Sequence, residues 1–207
     1  MRKLFIYLIL ILGMYACTKE AYQPQDCDLI FQVAEATDFS KAITDATAHE
    51  EVLKFDHVAM VVIDNGKTYV IEASTRNGVS MILFDDFVRN LPAGFIVKRV
   101  KGRLETAPII EEAKSHLGEP YDWSYLPNNG KMYCSELIYE SFVNTEGNRI
   151  FQAKPMNFRD ANGQMPQFWT DLFAKLGEEI PEGVLGTNPN DLSKEPCLEE
   201  IYSSLKP

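Results

Sequence analysis

Apolar and polar residues follow one another in short blocks that predict a protein of mixed strands and helices. Apolar runs rich in β-branched residues predict strands at residues 27–33, 56–64, 67–73, 78–83 and 95–100. Apolar residues spaced along one helix face predict helices at 37–48, 84–90, 106–117 and 166–176, and one more directly after Cys134. The second and third strands are apolar on both faces, which is typical of central strands covered on both sides.

The sharpest local signal is Asn65-Gly66 between the second and third strands, a pair typical of two-residue hairpin turns. Counting back from that turn places Ala59 opposite Glu72. Opposed residues share a sheet face with every second residue along each strand, so His57 and Glu72 become diagonal neighbours. A buried glutamate is costly unless it is paired. We therefore expect Glu72 to orient the His57 imidazole; the alternative is an exposed pair at the strand end without a role.

Cys134 lies where a polar loop, residues 127–130, gives way to an apolar helical pattern. This places the thiol in the first turn of a helix, where free N–H groups and the helix dipole favour a thiolate. The position suits a nucleophile. The alternative interpretation is a buried structural thiol, which is also common.

Charge and motif content exclude several functions. The formal net charge is −10, and removing residues 1–16 leaves −12, without any basic run. Such a domain is a poor nucleic-acid binder. No Cys and His cluster has zinc spacing and no glycine-rich phosphate loop is present, so the sequence predicts neither a metal nor a cofactor.

The N-terminus reads as a targeting segment. Residues 1–16 have a basic start and a short apolar core, as in a signal peptide. The following Ala16-Cys17 resembles a bacterial lipoprotein cleavage site, which implies lipidation of Cys17, a tether over residues 17–25 and one domain over 26–207. An ordinary secretory signal is the alternative. Either way we expect export to the bacterial cell envelope, where Cys27 and Cys197 can pair or remain separate thiols.

Two motifs point to a family: GEPYDW at residues 118–123 and YCSELIYESF at 133–142. They resemble NlpC-type cell-wall cysteine peptidases, and the histidine strand precedes the cysteine helix, as in the circularly permuted YiiX/YaeF-like papain-fold group. The resemblance covers residues 27 to about 158. It implies an α+β fold with an antiparallel sheet packed against the cysteine helix. It also implies roles: Cys134 as nucleophile, His57 as base, Glu72 as the orienting third member and Tyr121 near the oxyanion site.

The expected function is an exported cysteine hydrolase that cuts an amide bond in a peptide, such as a cell-wall stem peptide. One alternative is a lipid-directed acyltransferase or thioesterase of the lecithin:retinol acyltransferase type. In those proteins the cysteine is usually followed by Glu-His, whereas this chain has Ser135-Glu136. The other alternative is a lipoprotein that binds a ligand without catalysis.

Overall fold

A computed structural model describes residues 22–48 and 50–205. The strands are β1 (Leu29–Val33), β2 (Phe55–Asp64), β3 (Lys67–Ser74), β4 (Gly78–Leu83), β5 (Phe95–Val100), β6 (Lys154–Pro155), β7 (Leu185–Gly186) and β8 (Leu198–Ser203). The helices are α1 (Asp38–Thr47), α2 (Phe84–Arg89), α3 (Thr106–Ser115), α4 (Cys134–Ser141), α5 (Gln167–Leu176) and α6 (Pro189–Ser193). Six strands form one sheet in the order β4-β3-β2-β1-β5-β8, and every neighbouring pair is antiparallel.

The β2–β3 hairpin has the register that the Asn65-Gly66 turn predicts. Asp64 lies opposite Lys67, and the pairing continues without a shift to Met60 opposite Ile71. Asn65 has φ 49° and Gly66 φ 74°, the left-handed values that such a turn requires. The turn chemistry therefore decides which β2 and β3 side chains become neighbours.

Helices cover both faces of the sheet. On one face α4 contributes Leu137 and Ile138, both fully buried, to a core shared with Met60 and Ile71. On the other face Phe87 of α2 belongs to a second core cluster. This second cluster contains the alternate strand residues Ile30, Ala59, Val61, Val70 and Val97. The apolar character of both strand faces follows from this two-sided cover.

The C-terminal part of the chain holds more regular structure than its pattern predicts. The expected helix is present as α5, but β8 also joins the sheet along β5, and α6 and the short β6–β7 pair are further elements. These pieces are two to six residues long and depend on partners distant in sequence. Local periodicity does not detect such elements.

The start of the domain is fixed to the sheet. Tyr22 lies within the segment that the sequence assigns to the tether, yet its hydroxyl donates to Asp28 at 2.6 Å and its ring packs on Phe84 and Tyr202.

The other predictions about the N-terminus and the cysteines have separate outcomes. Cys27 and Cys197 are both free thiols. Cys17, the signal segment and the first part of the tether lie outside the described residues. Within the described ranges, no helix has the length and apolar content to cross a bilayer.

Candidate active site

Helix α4 presents Cys134 as its first residue. Tyr133 precedes it in an extended conformation, and the Tyr133 N–H donates to the Glu136 carboxylate at 3.4 Å. The Cys134 side chain is buried, and it lines a cavity at the end of the helix. The first N–H groups of a helix have no partner within it. Helix position therefore gives the thiol both a positive dipole end and nearby hydrogen-bond donors.

His57 and Glu72 form a direct pair across the hairpin. His57 Nε2 lies 2.6 Å from Glu72 Oε2, and both side chains are nearly buried. His57 faces Gln32 of β1, next to an irregularity in the β1–β2 register. Such irregularities re-aim side chains beside active sites. The imidazole is thus held in one orientation by a carboxylate of the neighbouring strand.

The environment of His57 favours the imidazolium form. Burial alone would lower its pKa, but hydrogen bonding and charge interactions with Cys134 and Glu72 outweigh burial and raise the pKa well above its usual value. Because Glu72 occupies Nε2, the nitrogen left for the thiol is Nδ1. The three side chains form a chain of carboxylate, imidazole and thiol.

Tyr121 lies beside this group on a loop that is anchored at several points. The Asp122 carboxylate accepts hydrogen bonds from the Ser124 and Leu126 N–H groups. At the start of the loop, Gly78 packs so closely that a Cβ there would lie 2.1 Å from the Glu119 carbonyl oxygen. Burial first, and then nearby Tyr125 and Cys134, raise the pKa of Tyr121 well above its usual value. Its hydroxyl therefore stays protonated and able to donate.

A first cavity, of about 60 Å³, opens beside the thiol, and we call it the acyl cavity. Its walls come from α1, the tyrosine loop, the residues around Cys134 and the C-terminal part of the chain. They are Ile43, Ala46, Thr47, Tyr121, Tyr125, Tyr133, Cys134, Ser135, Met156, Asn157, Phe158, Trp169, Thr187, Asn188 and Pro189. Apart from Cys134, none of these lining residues carries a formal charge. The buried Ser135 Oγ and Trp169 Nε1 have no hydrogen-bond partner in the described structure.

A second cavity, of about 250 Å³, opens beside His57, and we call it the acidic cavity. Its walls are Gln32, Glu35, Thr37, Phe39, Ser40, Asp56, His57, Glu72, Ser74, Thr75 and Tyr121. Three of these residues are carboxylic acids, and neither lysine nor arginine is among them. Tyr121 lines both cavities, so the two meet at the candidate catalytic group.

The structure brings together all four residues that the sequence selects in this domain: Cys134, His57, Glu72 and Tyr121. Sequence reasoning did not select Trp169, Asp56 or Glu35, which line the two cavities. Trp169 is separated from the cysteine helix by a long connection, and its helical pattern reads as ordinary core packing. Asp56 adjoins His57 at the start of β2, and that adjacency was the one available signal.

A thiol at a helix N-terminus, an imidazole and a carboxylate on adjacent antiparallel strands define the class of papain-like cysteine hydrolases. The comparisons with known proteins agree with this class. Residues 23–202 match the family of permuted papain-like amidase enzymes, YaeF/YiiX, C92. The chain belongs to this family, and its order of histidine strand before cysteine helix is the permuted one.

Two relatives illustrate the match. The chain is 31% identical over 185 residues to the uncharacterized protein YiiX of Escherichia coli strain K12, covering 87% of each chain. It is also similar to the crystal structure of metalloprotein yiiX from Escherichia coli O157:H7, with a TM-score of 0.74 and 27% identity. That similarity covers 89% of this chain and 100% of the other.

The yiiX relative is called a metalloprotein, so the metal-binding capacity of this chain needs to be assessed. Within residues 22–48 and 50–205, no three or more His, Cys, Asp or Glu side chains are grouped to hold an ion. Structural and catalytic zinc sites need at least three protein ligands. The donor set of the described residues does not fit such a centre.

Proposed function

We propose that the protein is an exported, membrane-anchored cysteine amidase that cleaves amide bonds in peptides, with cell-wall peptides as its natural substrates. The observation that carries the proposal is the 2.6 Å contact between His57 and Glu72 on the side of the imidazole away from Cys134. Binding alone has no use for a thiol beside an oriented imidazole. Nucleophilic catalysis requires that arrangement.

The first half of the reaction forms an acyl-enzyme. The Cys134 Sγ attacks the carbonyl carbon, and the negative charge moves to the carbonyl oxygen. The Cys134 N–H and the Tyr121 hydroxyl are the donors that we assign to this oxyanion. The carbon–nitrogen bond then breaks, and the His57 imidazolium gives its proton to the departing amine. The products are a free amine and a thioester on Cys134.

The second half releases the acid. Neutral His57 takes a proton from a water molecule as the water oxygen attacks the thioester carbon. The carbon–sulfur bond breaks, the carboxylic acid departs, and Cys134 returns as thiolate beside imidazolium. Throughout this cycle the Glu72 carboxylate holds the ring by Nε2 and stabilises its positive charge.

The cell-envelope assignment is supported by the N-terminal sequence. A basic start, a short apolar core and Ala16-Cys17 favour export and lipidation at Cys17. A tethered hydrolase would meet wall peptides at the membrane surface. The permuted amidase family is compatible with a peptide amide, and the substrate remains our proposal.

The test uses the protein without residues 1–17, incubated with wall-derived peptides and acyl lipids in parallel with Cys134→Ala. Mass spectrometry follows the products and the mass of the enzyme. We expect a peptide cut that the Cys134→Ala variant lacks, and the fragment masses would identify the bond. Turnover retained by Cys134→Ala would refute the assignment.

A second candidate is transfer or hydrolysis of an acyl group from a lipid or thioester. The observation that favours it is the uncharged, aromatic wall of the acyl cavity. The same experiment separates the two, because an acyl adduct on Cys134 from lipid, with the peptides untouched, would favour the transferase. The absence of both a peptide cut and an acyl adduct would favour a binding protein without catalysis.

A further inference from the structure

A short stretch of chain after β7 contacts both halves of the candidate catalytic pair, although the reaction described above uses none of its residues. Residues 186–190 run from the end of β7 into the first turn of α6, and we call them the clamp segment. Near its start the clamp segment hydrogen-bonds to Tyr133, which directly precedes Cys134. At its end it hydrogen-bonds to Phe55, two residues before His57.

Asn190 makes the contact on the His57 side. It is 1% exposed, its Oδ1 accepts the Phe55 N–H at 2.8 Å, and its Nδ2 donates to the Phe55 carbonyl oxygen at 2.7 Å and to Thr47 Oγ1 at 2.8 Å. Phe55 begins β2 at the irregularity of the β1–β2 register. There the Asn190 amide bonds to both backbone groups of Phe55, as a neighbouring strand would. It thereby fixes the start of the strand that carries the base.

Tyr133 makes the contact on the Cys134 side. It is 4% exposed and is the N-cap residue of α4. Its hydroxyl oxygen accepts the Thr187 N–H at 3.2 Å. Gly186 lies so close that a Cβ there would be 2.8 Å from this hydroxyl oxygen, an approach that suits a residue without a side chain. The first turn of α4 is thus tied to the clamp segment.

The clamp segment has little freedom between its two contacts. Only Asn188 and Pro189 separate Thr187 from Asn190. The proline ring fixes φ at Pro189, and the Asn188 side chain accepts the Asp191 N–H at 2.8 Å as the N-cap of α6. Because both intervening residues are constrained, a shift at one contact moves the other.

Asn190 differs from its neighbours in having no contact with the substrate cavity. Thr187, Asn188 and Pro189 line the acyl cavity, whereas Asn190 is not among its lining residues. The oxygen and the nitrogen of the Asn190 amide are both bonded to Phe55. Removing this side chain would therefore leave the cavity wall in place and release the start of β2.

Resting on the proposed function, we infer that Asn190 and Tyr133 are positioning residues. Through the clamp segment they hold the His57 imidazole at reacting distance from the Cys134 thiol. The two groups lie on β2 and α4, and proton exchange between them depends on their separation. A displacement of about 1 Å at such a site can cost a factor of about 10² in rate.

Thiol alkylation tests this without a substrate. The rate of Cys134 alkylation by iodoacetamide at pH 8, divided by the rate at pH 6, reports how far the imidazolium stabilises the thiolate. The ratio cancels any change in access to the thiol. We expect about threefold or less for the wild-type protein, against about a hundredfold for an ordinary thiol. Asn190→Ala should raise the ratio at least about fivefold above the wild-type value, because a displaced imidazolium no longer stabilises the thiolate.

Ser193→Ala is the matched control. The buried Ser193 hydroxyl donates to the Asn190 carbonyl oxygen at 2.7 Å, so this variant loses a buried hydrogen bond of α6 and keeps those to Phe55. Its ratio should equal the wild-type value. Tyr133→Phe keeps the ring, removes the acceptor of the Thr187 N–H and should raise the ratio by about threefold or more. Thermal melting establishes that each variant is folded, and Tyr133→Phe serves if Asn190→Ala is not.

A wild-type ratio in every folded variant of the pair, or a rise in Ser193→Ala as large as in Asn190→Ala, would overturn the inference alone. The ratio of an ordinary thiol in the wild-type protein would overturn both the inference and the proposed function. If the variants raised the ratio while the wild-type protein cleaved none of the wall-derived peptides, the positioning roles would stand and the proposed amidase function would fail.

Discussion

Glu72 is costly to bury in the fold, and we propose that it takes part in the chemistry. Its neighbours in β3, Val70, Ile71 and Ala73, are apolar and fully buried, and its own side chain is buried among them. The 2.6 Å contact with His57 offsets the cost of burial, because imidazolium supplies both a donor and a counter-charge. The same contact fixes the ring so that Nδ1 is available to Cys134.

Replacing Glu72 with glutamine should separate its charge from its size. We expect Glu72→Gln to fold and to lower kcat/KM by about 10²–10⁴, as in other sites that lose the orienting carboxylate. Glu72 helps to raise the His57 pKa, so its loss lowers that pKa and shifts the alkaline limb of the pH–rate profile to lower pH. The exposed Glu178→Gln is the control. An unchanged pH–rate profile in Glu72→Gln would contradict the role of Glu72 in orienting His57.

Two opposing effects act on the charge of Glu136 at the start of helix α4: burial disfavours it and the helix dipole favours it. Glu136 lies in its first turn, where the dipole favours a negative charge, yet the side chain is 5% exposed. Burial is the larger effect and raises the pKa of Glu136 to about 8. The Tyr133 N–H opposes that rise, and the nearby carboxylates of Asp122, Glu140 and Glu119 add to it.

The pKa of Glu136 predicts a pH-dependent stability difference. The folded value of about 8 exceeds the unfolded value of 4.5, so this group's contribution is full below pH 4.5 and is lost as the pH rises through 8. Glutamine does not ionise, so the Glu136→Gln protein does not lose stability in this way as the pH rises. Its Tm should exceed the wild-type value by about 3–6 °C above pH 8, with little of that gain near pH 4. A Tm difference between the variant and the wild-type protein that does not change with pH would contradict this prediction. The exposed Glu146→Gln is the control.

At the scale of elements, prediction succeeded where the signal was local. Asn65-Gly66 sets the hairpin, and the hairpin alone brings His57 to Glu72. The β8 strand was missed because its pairing with β5 joins residues about a hundred positions apart in the chain. Nothing in the six residues of β8 specifies that partner.

At the scale of the whole molecule, the site depends on segments that only the fold brings together. The acyl cavity combines Ile43 of α1, Tyr121, Cys134 of α4 and Trp169 of α5. The sequence selected the candidate reactive residues because thiol, imidazole and carboxylate groups are recognisable by their chemistry. It did not identify the walls, because apolar and aromatic side chains at helical spacing look the same in a cavity and in a core.

The location of the whole protein is a separate prediction. Full-length protein expressed in a bacterium should sediment with membranes, and its mature N-terminal peptide should carry lipid on Cys17. Cys17→Ala should lose the lipid mass and appear in soluble or unprocessed form. A wild-type N-terminus that begins at another residue, without lipid, would contradict the anchor and leave the catalytic proposal untouched.

The central claim, that Cys134 is a nucleophile activated by His57, is tested most directly by thiol alkylation against pH. Cys27 and Cys197 are internal references, since burial raises the pKa of both, to about 12 for Cys27. Iodoacetamide should modify Cys134 first. Because the pKa of His57 is raised well above its usual value, the imidazolium persists beside the thiol, and we expect the rate to fall little between about pH 8 and pH 6. An ordinary thiol slows by about tenfold per pH unit in that range.

His57→Ala should remove this advantage and give Cys134 the pH dependence of an ordinary thiol, measured by peptide mass spectrometry after timed labelling. Survival of the wild-type profile in His57→Ala would contradict the claim. So would a wild-type Cys134 that reacts no faster at pH 6 than Cys197 does.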